Sequence, residues 1–128
     1  MISLRREHPW IRIETDKRKS QKFGQDLCHV VKYMKKHDIE AMQEIMKQAP
    51  DFNTRDREQN KTALQIALDK SKTLPSFSFV ARYLALQQLM HGEQLEVRES
   101  GLCTLCALFG GVPREKEIVS LYSIHIPH

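Results

Sequence analysis

Residues 51–68 read DFNTRDREQNKTALQIAL, and their reading decides the fold. The polar and charged run Thr54–Gln59 is soon followed by a short apolar segment with its own start signal. Thr62-Ala63-Leu64-Gln65 has the form of a capping box: the Thr hydroxyl accepts the third helical amide, and the Gln side chain accepts the Thr amide. Behind it, Leu64, Ile66, Ala67 and Leu68 make a helix apolar almost all round, which predicts burial. A polar run of this kind ordinarily means a solvated loop. Here both of its flanks are specified.

Upstream, DLCHVVKYMKK places Leu27, Val30, Val31 and Met34 at steps of three and four, one apolar helical face. His37-Asp38 breaks the pattern, with Asp38 as N-cap. A second helix, IEAMQEIMKQA, then carries Ile39, Met42, Ile45, Met46 and Ala49 on one side and ends before Pro50. So short a turn predicts an antiparallel pair. Downstream, SKTLPSFS reads as a loop around Pro75, and FVARYLALQQLM as an amphipathic helix closed at Gly92 in a left-handed conformation. EQLEVRESG reads as a second polar connector leading into LCTLCALFGG, and a last helix is expected from Pro113. Glu115 and Glu117 fall in that helix's first turn, and Ile118, Val119, Leu121 and Tyr122 on its apolar side. At the other end, WIRIET alternates as a short strand would, and DKRKSQKFGQ reads as a polar connector.

The 128 residues are one domain's worth of chain and enough to bury a core. Residues 1–24 hold seven Lys/Arg against three Asp/Glu, the whole net charge of +4, while the rest holds thirteen of each sign. The basic character therefore belongs to the N-terminal segment. Three cysteines, no signal-like apolar stretch and no membrane-length apolar window predict an intracellular, cytoplasmic protein with reduced thiols.

Helix pairs alternate with polar connectors at a regular interval. Cys28 to Thr62 is 34 residues and Thr62 to Cys103 is 41, or 33 without the eight-residue SKTLPSFS loop. On these residues the chain resembles the ankyrin repeat, whose period is about 33 residues and whose signature is Thr-Pro-Leu-His-x-Ala after a β-turn. Thr62-Ala63-Leu64-Gln65-Ile66-Ala67 stands in the signature place, with Ala63 for the proline and Gln65 for the histidine. Pro50-Asp51-Phe52-Asn53 is similar to the family's Ala-Asp-Val-Asn segment, Asp56 to its turn aspartate, and Asn60 to its turn glycine. The likeness is strongest over residues 37–68, weaker from 79 to 122, where Cys103-Thr104-Leu105-Cys106 matches only the leucine, and absent from residues 1–24. It implies an all-α solenoid of stacked antiparallel helix pairs with β-turn fingers. The repeats would span about 25–57, 58–98 and 99–124, the last degenerate, with a basic cap or arm at 1–24 and a tail at 125–128.

The resemblance further implies a protein–protein interaction module, an adaptor or a secreted effector acting in a host-cell cytoplasm. Its partner would be another protein, held by finger tips and the concave face of the inner helices. Arg55, Arg57, Glu58 and Gln59 are the expected contacts at the first finger tip, with Glu96, Arg98 and Glu99 in a second finger. Lys35, Lys36, Asp69 and Lys70 are the expected contacts at the exposed ends of the first two inner helices. Each has an ordinary alternative as a solvated surface residue. An exposed solenoid end allows a weak homodimer, and the chain is otherwise expected to be a monomer.

Other constellations carry less. Cys103, Cys106, His125 and His128 are the residue types of a zinc site, but the intervening 18 residues exceed a zinc finger's roughly 12, and Cys103 and Cys106 fit core positions of a buried helix. Cys28 and His29, as helical neighbours, point about 100° apart and share no reacting atom. No metal, cofactor or catalytic residue is therefore expected. The cluster Lys17-Arg18-Lys19-Ser20-Gln21-Lys22 supports the alternative function, binding of nucleic acid or an acidic surface through residues 5–22. With Phe23 the one aromatic beside it, sequence-specific nucleic-acid binding is not expected. Leu74, Phe77 and Phe79 around the 71–78 insertion read either as a contact surface or as a cover for helix ends.

Overall fold

A computed structural model describes residues 9–34, 39–111, 114 and 116, with side chains from residue 17 onward. Among these residues the protein is all-helical, without a strand.

α1 runs from Pro9 to Tyr33 and replaces both the expected strand WIRIET and the expected connector DKRKSQKFGQ. The physical reason is cooperativity. Proline is preorganised for a first helical turn, Lys, Arg and Gln are good helix formers, and extending a nucleated helix costs little, whereas a lone strand has no partner edge. Leu27, Cys28 and Val31 are its buried face, with Met34 buried just past its end; Val30, expected there, is only partly buried.

α2 (Ile39–Met46) packs on α1 through buried Met42. It ends earlier than the sequence suggests. Gln48 and Ala49 donate to the carbonyls of Ile45 and Met46, and Ala49 takes a left-handed φ of 53° before Pro50. The expected N-cap Asp38 lies outside the described residues.

α3 (Ala63–Ser71) begins with the capping box read from sequence: the Gln65 amide donates to the Thr62 hydroxyl, and the Thr62 amide to the Gln65 side chain. Ala63, Leu64, Ile66 and Ala67 are buried between α1 and α4.

α4 (Phe77–His91) packs on both α3 and α5 and is buried nearly all round, from Phe77 to Gln88. Of the apolar residues around the insertion before it, Phe77 is core, Phe79 is partly buried, and Leu74 stays exposed. Gly92 has φ −63° and ψ 128°, not the left-handed closure expected of it. Its value is space, since a β-carbon there would sit 2.5 Å from the Gln88 carbonyl oxygen and 2.8 Å from Val97.

α5 (Leu95–Phe109) overturns the second connector, because EQLEVRESG is mostly its N-terminal half. Gly101, which reads as a loop residue, is where α5 crosses α4: a β-carbon there would lie 2.5 Å from the Ala85 carbonyl oxygen. The buried Gln88 amide donates to the Val97 carbonyl at 3.2 Å. α5 packs chiefly against α4, and its end is closed by Gly110 at φ 70°. The helix expected from Pro113 falls largely outside the described residues.

Candidate partner-binding surface

The finger between α2 and α3 is built from its own polar atoms. The Asp51 side chain accepts the Asn53 amide at 2.9 Å, and the Thr54 amide donates to the Asp51 carbonyl. At the tip, Asp56 organises the turn: its amide donates to the Lys61 carbonyl at 2.8 Å, and its carbonyl accepts the Asn60 amide at 2.7 Å. Its carboxylate accepts the Gln59 amide at 2.9 Å. Asn60 sits at φ 55°, the left-handed geometry that asparagine tolerates better than most residues. The Gln59 amide bond, followed by the Lys32 ammonium, holds the Asp56 carboxyl below the usual carboxylate range.

α1 braces this finger from behind. Ser20 accepts the Asp51 amide on its carbonyl and donates its hydroxyl to the Ala49 carbonyl at 3.1 Å. Gln25 Nε2 donates to the Arg55 carbonyl at 2.9 Å. Gly24 lets the loop sit directly on the helix, since any β-carbon there would fall 2.6 Å from the Asp51 carbonyl oxygen. Lys32 reaches both Asp56 and Glu58. The hydrogen bond to Glu58, followed by the nearby carboxylates, raises the Lys32 pKa, against some loss of hydration. Beneath the turn, the Cys28 thiol faces the Thr54 and Lys61 carbonyls, and burial, with Asp56 nearby, pushes its pKa up to about 11. It is an inert core thiol.

Between α1 and the finger lies an open groove of about 600 Å³, with Arg18, Lys22 and Asp26 along one wall and Asp51 and Arg57 along the other. It unites two regions that the sequence presents separately, the basic cluster and the finger tip. The signal for it was the four-residue spacing Arg18–Lys22–Asp26, which places these residues on one face only once residues 9–24 are helical.

The expected contact residues divide sharply. Arg57 and Gln59 are exposed at the tip. Arg55 is exposed too, but its guanidinium donates back to the Asn60 carbonyl at 3.0 Å. Glu58 is tied to Lys32. Asp69 pairs with Lys61 and Lys72, and the Lys61 hydrogen bond lowers its pKa. Lys70 is not a free surface cation. Its ammonium donates to the Val31 carbonyl at 2.8 Å and to the Lys32 carbonyl, closing the end of α1, and lies 4.8 Å from the centre of the Phe77 ring. Burial lowers its pKa. Lys35 and Lys36 lie outside the described residues.

Glu96, Arg98 and Glu99 are exposed on α5, not in a finger, because a helix occupies that stretch. The same helix corrects the reading of its thiols. Val97, Gly101 and Leu105 face inward at steps of four, which turns Cys103 out to solvent and leaves Cys106 half-buried. His125 and His128 lie outside the described residues, and no cluster of metal-ligating side chains occurs among the described ones. Nor is any described helix long and apolar enough to cross a membrane.

Comparison with family models, curated proteins and solved structures finds no match for this chain.

Proposed function

We propose that this chain is a protein–protein interaction module of ankyrin-like design, holding a partner at the finger tip and the adjoining face of α1. The observation that carries the reading is the construction of the finger. Its backbone is closed by Asp56 and Asn60, it is tied to α1 through Gln25 and Lys32, and Arg57 and Gln59 stand free at its tip. A loop whose backbone is already held by internal hydrogen bonds loses little conformational entropy when it binds, which is how preorganised surfaces gain affinity.

The ankyrin-like part of the proposal rests on two helix pairs, α1–α2 and α3–α4, with the finger between them and a capping box at the second inner helix. It is confined to those pairs, because α5 packs on α4 and has no finger ahead of it. Affinity capture from lysate with wild type and an Arg57→Ala, Gln59→Ala variant tests the reading. A protein captured by wild type and lost with the variant supports it, and capture unaffected by the substitutions refutes it.

A further inference from the structure

We propose that the groove between α1 and the finger receives an extended acidic segment of another protein, a deepening that rests on the interaction reading above. Its first support is an excess of cations, three against two carboxylates, with no ion pair formed among them. Arg18 and Lys22 on one wall and Arg57 on the other form no ion pair with any described side chain, unlike Lys32, Lys47, Lys61 and Lys72. Arg18 and Lys22 are one helical turn apart, so their like charges repel along the helix, and an anion between them removes that repulsion.

The second support is the presence of Asp26 and Asp51 in the same groove. A polyphosphate carries only negative charge and acceptors, and would have to pass two carboxylates. A peptide offers both kinds of group: side-chain carboxylates for the three cations and backbone N–H donors for the two aspartates. No aromatic side chain is among those lining the groove, so it has no platform for stacking bases. The length also fits. Arg18 to Asp26 spans about 12 Å of helix axis, the reach of roughly four extended residues.

The test is fluorescence anisotropy on the full chain with a short fluorescein-labelled peptide of alternating Asp and Gly. Wild type should bind it, with affinity falling as salt screens the exposed charges. Arg18→Glu with Lys22→Glu, and separately Arg57→Glu, should each weaken binding by about tenfold or more. Lys47→Glu with Lys72→Glu, the same charge change on cations away from the groove, should alter it by less than about twofold. An equal loss in this control variant overturns the groove as the site. So does displacement of the peptide by a single-stranded oligonucleotide at lower charge concentration, which would make the groove a nucleic-acid site. If a protein captured from lysate depends on Arg57 and Gln59 but survives charge reversal at Arg18 and Lys22, the acidic-segment proposal fails while the interaction reading stands.

Discussion

Thr62 and Ala49 show how single residues set the ends of helices here, one favourably and one at a cost. Thr62 satisfies an otherwise unpaired amide at the start of α3, and Gln65 returns the bond. Thr62→Ala should lower unfolding stability by roughly 0.5–2 kcal/mol in a denaturant titration. Ala49 sits at φ 53°, where a β-carbon crowds the backbone. Ala49→Gly relieves that strain of about 1–2 kcal/mol and returns part of it as unfolded-chain entropy, so a net gain of roughly 0.5 kcal/mol is expected from the same measurement. The thiols separate by environment rather than by sequence. Native-state titration with an aromatic disulfide should modify Cys103 first, then Cys106, and reach Cys28 only on unfolding.

At the scale of elements, glycine has two meanings that sequence does not distinguish. Gly110 closes α5 in a left-handed conformation, whereas Gly101 lies within α5 and Gly24 within α1, both where another segment of backbone comes close. Gly101→Ala should push α5 away from α4 and cost on the order of 1–3 kcal/mol, the range for overpacking a tight contact, read as a fall in melting temperature. The capped start of α3 was legible because its signals lie within four residues of one another. The helix over residues 9–24 was not, because its local pattern admits a strand and only the continuity of a long helix decides against it. The groove inherited that difficulty: Arg18 and Lys22 are a cluster in sequence but one wall of a site in space.

On the scale of the whole fold, α4 is the most buried helix among the described residues and packs against both α3 and α5. Hydrogen exchange should therefore be slowest for residues 80–88 and faster over 17–22 of α1, whose side chains are largely exposed. Acid should loosen the finger. Asp56, held by the Gln59 amide and then Lys32, and Asp69, held by Lys61, both have folded pKa values below their usual one. Their stabilising contribution is complete above the unfolded carboxylate value of about 3.9 and is lost as pH falls through the lower folded values. A melting-temperature profile on the acid side should flatten with Asp56→Asn. By itself the sequence determined the apolar-faced helices around Val31, Met42, Leu64 and Leu84, the turn with its left-handed Asn60 and the capped start of α3, because hydrogen bonds between near neighbours and apolar spacing suffice for each. Only the tertiary structure decided that Lys70 closes α1, that Cys103 faces out, that residues 95–102 are helix and that Arg18 and Arg57 line one groove. Those depend on which surfaces come together across the fold, and no local pattern carries that information.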